Sequence, residues 1–403
     1  MEDIKRVQLS EIAGLITKGT TPTTHGYEFQ EDGVNFLKIE CFDENGGFIE
    51  SKVAHISEEC NEKLKRSQLK AGDVLFSIAG AIGRVAIVTE EMLPANTNQA
   101  LAIIRIADEQ VYLPYIKLIL TSPIVIEQFE KKKQGVAQLN LSLKDINEIS
   151  IPLPSKEKQI ELAELFDKVA GVIAKRKTEI SALDDLIKAR FVEMFGDPVK
   201  NPNEYYVATL QELIDKGFIT YHLDGNHGGD YPRSEEFVDS GVPYISANCI
   251  VNGEIDFAKA KFLTSERAAK LRKGIAQNED VLFAHNATVG PTVVLHTDEE
   301  KVILGTSLTA YRCNKEKIMP NYLKAYMLSD EFVRQYSSEM KQTTRNQVPI
   351  TVQKKYLFLI PPIEEQKQFA DFVYQVDKSK VAVQKSLDET QQLFDSLMQK
   401  YFG

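Results

Sequence analysis

Residues 154–195, PSKEKQIELAELFDKVAGVIAKRKTEISALDDLIKARFVEMF, decide the fold of this chain. A second copy of the stretch follows 207 residues later, at residues 361–402. In each copy, apolar residues recur at alternating intervals of three and four, which predicts a helix of about 40 residues with one apolar stripe. Such a helix is roughly 60 Å long and must bury its stripe. We therefore expect the two helices to pack against each other in antiparallel orientation.

The segments that precede the two helices also repeat. The motif DVLF at residues 73–76 recurs at residues 280–283, and both segments alternate short β-type runs with helical patterns. The expected fold class is α+β, with two tandem α/β domains and long helices that pair as an antiparallel coiled coil with pseudo-two-fold symmetry. The expected boundaries are residues 1–153 for the first domain, 154–196 for the central helix, 197–360 for the second domain and 361–403 for the C-terminal helix.

Local patterns predict the main elements of the first domain. β-type runs bounded by Gly, Asn, Asp and Pro predict strands, and longer patterns that begin near capping residues or Pro predict helices. The predicted strands are residues 34–39, 73–79, 83–88, 100–106 and 149–153. The predicted helices are a short one at residues 9–12 and longer ones at residues 58–68 and 113–132.

Composition restricts the class of protein. The chain has 403 residues, a formal net charge of -10 and four scattered cysteines without a CxxC pair. We expect a reduced cytoplasmic protein of two or three domains, without a disulfide framework, a signal peptide or a membrane span. The acidic balance argues against a simple nucleic-acid binder, but it allows one that shares its DNA contact with basic partners.

Several short motifs carry a resemblance to a known family. Each long helix follows a strand–proline junction, IPLPSKEKQ at residues 151–159 and LIPPIEEQ at residues 359–366. A GTTP turn lies at residues 19–22 and a GDVL strand motif at residues 72–75. With the tandem arrangement, these motifs resemble the specificity subunit of type I restriction-modification systems over essentially the whole chain. The second domain departs from the pattern, because Glu279 replaces the glycine of GDVL and a different loop at residues 224–232 replaces GTTP.

The resemblance implies a DNA-reading scaffold. Each domain would be a target-recognition domain that reads one half of a bipartite site in double-stranded DNA, and the separation of the two readers would set the spacer between the halves. The paired helices would fix that spacer and dock two methyltransferase (modification) subunits, and through them restriction subunits. This chain would be non-catalytic and hold no cofactor, since S-adenosylmethionine, ATP and Mg²⁺ would belong to the partner subunits.

Polar loop residues at matching positions of the two domains are the candidates for DNA contact. Lysine suits phosphate, and Asn or Gln suits adenine. An ordinary surface turn is the alternative for the threonines, a hairpin connection for the loops after the DVLF strands, and a favourable helix dipole for the lysines. The first-domain candidates are Thr20, Thr21, Thr23, Thr24, Ser77, Arg84, Asn98, Lys132, Lys133, Gln138 and Asn140. The second-domain candidates are His222, Asn226, His227, His285, Asn286, Thr306, Thr343, Thr344, Arg345, Asn346 and Gln347.

Other kinds of site lack support in the sequence. His222 and His227 are five residues apart, but no carboxylate or cysteine stands at zinc-ligand spacing with them, so no metal site is predicted. We find no nucleophile–base constellation, no paired carboxylates in an apolar setting and no glycine-rich cofactor loop, so no catalytic residue is predicted. Two alternatives stay open: a DNA methyltransferase or nuclease that acts alone, and a coiled-coil scaffold with two protein-binding heads.

Overall fold

The computed structural model describes residues 5–44, 46–130, 140–226, 230–340 and 346–402. The chain forms two compact units: unit 1 combines Met1–Lys177 with Lys385–Gly403, and unit 2 is Thr178–Gln384. Each unit mixes helices and strands and contains a part of both long helices. Within the described ranges, the structure has no helix that is both long and apolar enough to cross a membrane.

Unit 1 is built on a four-stranded antiparallel sheet of order β2-β8-β5-β6. A second sheet has the order β4-β3-β7, with β3 and β7 parallel, and β1 pairs with β9. The strands are β1 Arg6–Gln8, β2 Ala13–Lys18, β3 Val34–Leu37, β4 Ala54–Ile56, β5 Val74–Ser77, β6 Val85–Ile87, β7 Ala95–Thr97, β8 Leu101–Ile106 and β9 Ser150–Pro152. The helices are α1 Leu9–Ile12, α2 Glu58–Lys63, α3 Leu113–Leu120, α4 Pro123–Glu130, α5 Leu143–Asn147 and the long α6 Lys156–Phe195.

Unit 2 repeats this plan. Its four-stranded antiparallel sheet has the order β11-β21-β18-β19, beside a five-stranded sheet of order β12-β16-β13-β20-β17 and the pairs β10-β22 and β14-β15. The strands are β10 Tyr206–Thr209, β11 Ile219–Asp224, β12 Phe237–Val238, β13 Val242–Ile245, β14 Ile250–Val251, β15 Glu254–Ile255, β16 Lys261–Leu263, β17 Ile275–Ala276, β18 Val281–Ala284, β19 Thr292–Val294, β20 Val302–Leu304, β21 Leu308–Cys313 and β22 Leu357–Ile360. The helices are α7 Leu210–Asp215, α8 Ser265–Ala269, α9 Pro320–Met327, α10 Asp330–Met340, α11 Ile350–Gln353 and α12 Ile363–Phe402.

The DVLF strands are apolar throughout because their sheets are covered on both faces. In β5, Val74 and Phe76 enter the core cluster that also contains α3, whereas Leu75 enters a cluster on the opposite face. In β18, Phe283 enters the core cluster that also contains α9, whereas Leu282 enters a cluster on the opposite face. A strand buried on both faces reads as a continuous apolar run rather than as an alternating one.

The predicted helix at residues 113–132 is wrong as one element. The structure has α3 and α4 instead, separated at Ser122-Pro123. Proline has no backbone N–H to continue the helix, and it suits the first turn of the next one. The Ser122 hydroxyl donates to the Ile119 carbonyl at 2.5 Å, so one of the last carbonyl groups of α3 has a hydrogen-bond partner.

The strand–proline junctions place a buried glutamine at the start of each long helix. In unit 1, the Gln159 side chain accepts from the Tyr112 amide at 2.9 Å and donates to the Pro154 carbonyl at 2.9 Å. In unit 2, Gln366 makes the equivalent bonds to the residue before α9 and to the junction proline, at 3.0 and 2.8 Å. These glutamines therefore fasten each long helix to the unit beside it.

The two long helices contribute to the core of each unit. In unit 1, the Phe166 ring of α6 lies 5.3 Å from the Phe394 ring and 5.6 Å from the Phe402 ring, both on α12. In unit 2, Phe191 and Phe195 near the end of α6 lie 5.7 and 5.5 Å from Phe369 near the start of α12.

Candidate nucleic-acid interface

Three loops of unit 1 meet at one end of its four-stranded sheet. β2 and β5 end there and β8 begins there, because β8 is antiparallel to both neighbours. The Gly19 amide donates to the Leu101 carbonyl at 3.1 Å, and the Ile78 amide donates to the Ala100 carbonyl at 2.9 Å. The loops after β2 and β5 are thus bonded to the segment that leads into β8. We call this end of unit 1 the loop end.

The GTTP turn is fastened to that segment by close backbone approach. A Cβ on Gly19 would lie 2.1 Å from the Asn98 carbonyl oxygen, so only glycine fits there. The Thr20 amide donates to the Thr97 carbonyl at 2.9 Å, and the Thr21 hydroxyl donates to the Gln99 side chain. The predicted residues Thr20, Thr21 and Asn98 therefore lie together and half-buried, with Thr23 and Thr24 exposed beside them.

The chain returns to the loop end of unit 1 at residue 140. The Leu141 amide donates to the Ile78 carbonyl at 3.0 Å, which brings the exposed Asn140 beside the loop after β5. Arg84 closes that loop half-buried, and its guanidinium donates to the Phe42 carbonyl at 3.2 Å. The predicted residues Lys132, Lys133 and Gln138 lie outside the described residues.

Unit 2 has a loop end built with the same backbone bonds. The Gly225 amide donates to the Leu308 carbonyl at 3.1 Å, and a Cβ on Gly225 would lie 2.0 Å from the Gly305 carbonyl oxygen. Gly225 therefore matches Gly19, and the loop at residues 224–232 begins in the same way as the GTTP turn, contrary to the prediction of a differently built loop. The missed signal is the position of this glycine directly after β11, as Gly19 directly follows β2. His227 lies outside the described residues.

The loop after β18 is hydrogen-bonded to residues 346–348, the returning chain of unit 2 that leads into α11. The Val348 amide donates to the His285 carbonyl at 2.8 Å, which repeats the bond from Leu141 to Ile78 in unit 1. Asn286 and Gln347 form a β-bridge. The structure thus brings Asn286, Thr306, Asn346 and Gln347 to the loop end, with Asn346 exposed and the others half-buried. Thr343, Thr344 and Arg345 lie outside the described residues.

Four predicted contact residues need correction, because their side chains are interior. Ser77, His222, Asn226 and His285 are each 8% exposed or less. The Ser77 hydroxyl donates to the Ala79 carbonyl at 3.0 Å, and the Asn226 amide donates to the Lys273 carbonyl at 2.9 Å. The two histidines lie within hydrogen-bond distance of buried side chains, His222 of Gln353 and His285 of Thr309. Direct contact with a base does not fit these positions, and the other described candidates stay predictions.

The electrostatics of the buried histidine differ from those of a surface DNA contact. Burial lowers the pKa of His222 to about 4, so the ring is neutral near pH 7 and offers no positive charge to a phosphate. Within the described ranges, no group of three or more His, Cys, Asp or Glu residues is arranged to hold a metal ion.

The sequence matches the type I restriction modification DNA specificity domain over residues 1–183 and 203–391. The chain belongs to this family. Its two matched segments contain both loop ends and most of both long helices. The type I specificity domain thus occurs twice in the chain, as the repeat predicts.

Curated relatives carry the same type I designation. The EcoBI specificity subunit of Escherichia coli is 33% identical over 142 residues, which span 34% of this chain and 29% of the relative. The putative MjaX specificity subunit of Methanocaldococcus jannaschii is 24% identical over 404 residues, which span 93% of this chain and 87% of the relative. The match to the E. coli protein therefore covers less than a third of that protein's length.

Solved structures share the fold. A chain from a study of complex assembly and conformational transition in the type I restriction-modification system is 18% identical, with a TM-score of 0.56 over 98% of this chain and 96% of that chain. The type I S subunit from M. genitalium is 14% identical, with a TM-score of 0.55 over 100% of this chain and 97% of that chain. At these identities, the likeness concerns the fold alone.

Proposed function

We propose that this chain is the DNA sequence-specificity subunit of a type I restriction-modification complex. Each unit reads one half of a bipartite site in double-stranded DNA through its loop end. One observation carries the proposal: both units build the same loop end with equivalent backbone bonds at Gly19 and Gly225, yet present different polar side chains there. A shared scaffold with unlike loops is what two different half-sites require, because loops carry most binding chemistry.

The residues at the two loop ends support unlike readout. Unit 1 presents threonine hydroxyls and the amides of Asn98 and Asn140, whereas unit 2 presents the amides of Asn286, Asn346 and Gln347. Amides can pair with the adenine edge in the major groove, and hydroxyls can contact bases or phosphates. In this proposal, residues 1–153 and 197–360 are the target-recognition domains.

The long helices are proposed to pair as an antiparallel coiled coil. This is supported inside each unit, where Phe166 near the start of α6 contacts Phe394 near the end of α12, and Phe195 near the end of α6 contacts Phe369 near the start of α12. The pair would fix the spacer between the half-sites. It would also dock two modification subunits, and through them restriction subunits.

The chemistry is assigned to the partners. The modification subunits would hold S-adenosylmethionine and transfer the methyl group, and the restriction subunits would use ATP and Mg²⁺. This chain would choose the sequence at which they act, without a catalytic residue of its own.

Mapping of methylated bases tests the proposal. The chain is co-expressed with its modification subunit, and methylated positions in the host DNA are located by sequencing. We expect a single bipartite motif with a spacer of fixed length. If no motif is methylated, the proposal is wrong and the scaffold alternative is favoured. A motif that is one continuous block would contradict the reading of two half-sites.

A paired insertion tests the role of the helices. One heptad is inserted after Lys177 in α6 and a second after Gln384 in α12, where the chain passes between the units. Seven residues add roughly 10 Å of helix, and B-DNA rises about 3.4 Å per base pair, so the spacer should lengthen by about 3 base pairs while both half-sites stay the same. As a control, seven residues inserted between Glu299 and Glu300, in an exposed loop, should leave the spacer unchanged. An unchanged spacer in the paired variant would refute the role of the helices.

A further inference from the structure

Unit 2 buries a continuous polar network directly behind its loop end. The network consists of His222, His285, Thr309, Tyr311 and Gln353, each of which is 8% exposed or less. They belong to β11, β21, α11 and the residue after β18. The network is therefore enclosed by the elements that carry the loop end.

The bonds of Gln353 fix the direction of the whole network. Its amide nitrogen donates to the Val348 carbonyl at 3.1 Å, which can only accept, and to the Thr309 hydroxyl at 3.1 Å. Its amide oxygen then accepts from the Tyr311 hydroxyl at 2.6 Å and from His222 Nε2 at 3.1 Å. Both groups of the amide are thus fully used, and His222 is the tautomer with hydrogen on Nε2.

The chain of donors continues to the loop after β18. Since the Thr309 oxygen accepts from Gln353, its hydrogen is free to be donated to His285 Nδ1, which lies at 2.9 Å. The backbone of His285 receives the Val348 amide at 2.8 Å and donates to the Ser307 carbonyl at 2.9 Å. The network therefore holds both sides of the bridge between Asn286 and Gln347, one side through Val348 and the other through His285.

Unit 1 builds the same fold without this network. In unit 2, His222 of β11 lies opposite Tyr311 of β21. The equivalent pair in unit 1 is Ile16 of β2 opposite Ile104 of β8. The repeat spacing of 207 residues matches Gln353 to Ile146, His285 to Ile78 and Thr309 to Ala102. All five unit 1 positions are thus apolar, four of them fully in the core.

This difference separates the network from the needs of the fold. A buried polar group costs free energy unless it is hydrogen-bonded, and an apolar core of the same shape can be equally stabilising. In unit 1, the sheet, α5 and the segment that begins at residue 140 pack with isoleucine or alanine at the five equivalent positions. Among the described residues, His222 Nδ1 is buried without a hydrogen-bond partner, whereas Gln353 and Thr309 use all of their side-chain donor and acceptor groups. What these two residues add in unit 2 is a defined orientation for the backbone at His285 and Val348, since satisfied buried hydrogen bonds specify one arrangement.

We propose that Gln353 and Thr309 are positioning residues that set the specificity of unit 2, because they hold the loops that carry Asn286, Asn346 and Gln347. The inference rests on the proposed function and deepens it. A bidentate amide contact discriminates only when its plane is aligned with the base edge. Loss of the buried bonds would leave the loop residues present but would free them to take other orientations.

Methylation of defined DNA duplexes tests this inference in the complex with the modification subunit. The substrates are the native bipartite site and variants with one base changed in either half-site. Two substitutions break the network: Gln353→Leu removes its central amide, and Thr309→Val keeps the shape of the side chain and removes only the hydroxyl that links Gln353 to His285. We expect discrimination at the unit 2 half-site to fall about tenfold, the value of one well-placed base contact. Discrimination at the unit 1 half-site should stay as in the native chain.

Two matched variants separate positioning from general stability. Thr309→Ser restores the hydroxyl and should restore discrimination, and Ile146→Leu at the unit 1 counterpart of Gln353 should change neither half-site. If Gln353→Leu does not fold, Thr309→Val carries the test with its near-identical volume. A folded Thr309→Val complex that discriminates the unit 2 half-site as well as the native one would overturn the inference. A native complex that discriminates at neither half-site would instead overturn the proposed function.

Discussion

Phe402 completes the core of unit 1 from the far end of the chain. Its side chain is 2% exposed, and its ring centroid lies 5.6 Å from that of Phe166 and 6.1 Å from that of Tyr115. Substitution of a buried Phe by Ala costs about 3–5 kcal/mol through lost burial and the cavity left behind. The last turn of a helix can relax into part of that cavity, so we expect Phe402→Ala to destabilise unit 1 by about 3 kcal/mol.

Hydrogen exchange measured by mass spectrometry resolves this effect by unit. A loss of about 3 kcal/mol should accelerate exchange of the most protected α3 amides on the order of 100-fold, while the α9 amides of unit 2 keep their native rates. Leu393→Ala is the matched control, because Leu393 lies on the same helix with 52% of its surface exposed. Phe195→Ala should do the reverse and accelerate α9, since Phe195 is fully buried in unit 2. Acceleration of α3 by less than tenfold in Phe402→Ala, or equal acceleration of α9, would refute the reasoning.

Three further substitutions have defined outcomes in urea unfolding. Gly225→Ala places a Cβ 2.0 Å from the Gly305 carbonyl oxygen, so it should destabilise unit 2 by at least about 2 kcal/mol, and an unchanged midpoint would show that the turn has room. Gly171→Ala meets nothing within 4 Å in α6 and should stabilise by up to about 1 kcal/mol, so a loss of stability would contradict the helix geometry. Burial lowers the pKa of His222 from 6.5 to about 4 in the folded chain. Between these pH values, only the unfolded chain binds a proton at this residue, so protonation favours unfolding. The free energy of unfolding should therefore fall by about 3 kcal/mol as the pH falls from 6.5 to about 4. His222→Phe should remove this pH dependence, and a native-like slope in that variant would assign it to another group.

The sequence predicts the elements whose signals are local. The helix predicted over residues 154–195 is observed as Lys156–Phe195, and its repeat as Ile363–Phe402. Proline at the start and the three–four spacing of apolar residues specify such a helix within its own stretch. The break at Ser122-Pro123 was missed because an apolar pattern on both sides can describe one helix or two, and the proline alone decides between them.

The positions of polar side chains were harder to predict, because the residue type alone favours an exposed position for histidine or glutamine. His285 and Gln353 are polar in the sequence but stand where unit 1 has Ile78 and Ile146. The repeat itself contained the missing signal, since a position that is apolar in one copy is a core position in both. Comparison of the two copies residue by residue would have moved His222 from the candidate surface to the interior.

The two units keep the same buried ion pair beside the repeated DVLF strand. In unit 1, the Arg105 guanidinium donates twice to the Asp73 carboxylate at 2.7 Å, and in unit 2 Arg312 does the same to Asp280 at 2.9 and 2.8 Å. Both aspartates are fully buried, so loss of either arginine would leave a carboxylate without its charge partner in the interior. Each pair joins the DVLF strand to its central neighbour, and it therefore fixes the register of the sheet independently of the loops. A scaffold held in this way allows the loop ends to change, and even allows the core behind one of them to become polar, without a change in the sheet that carries them.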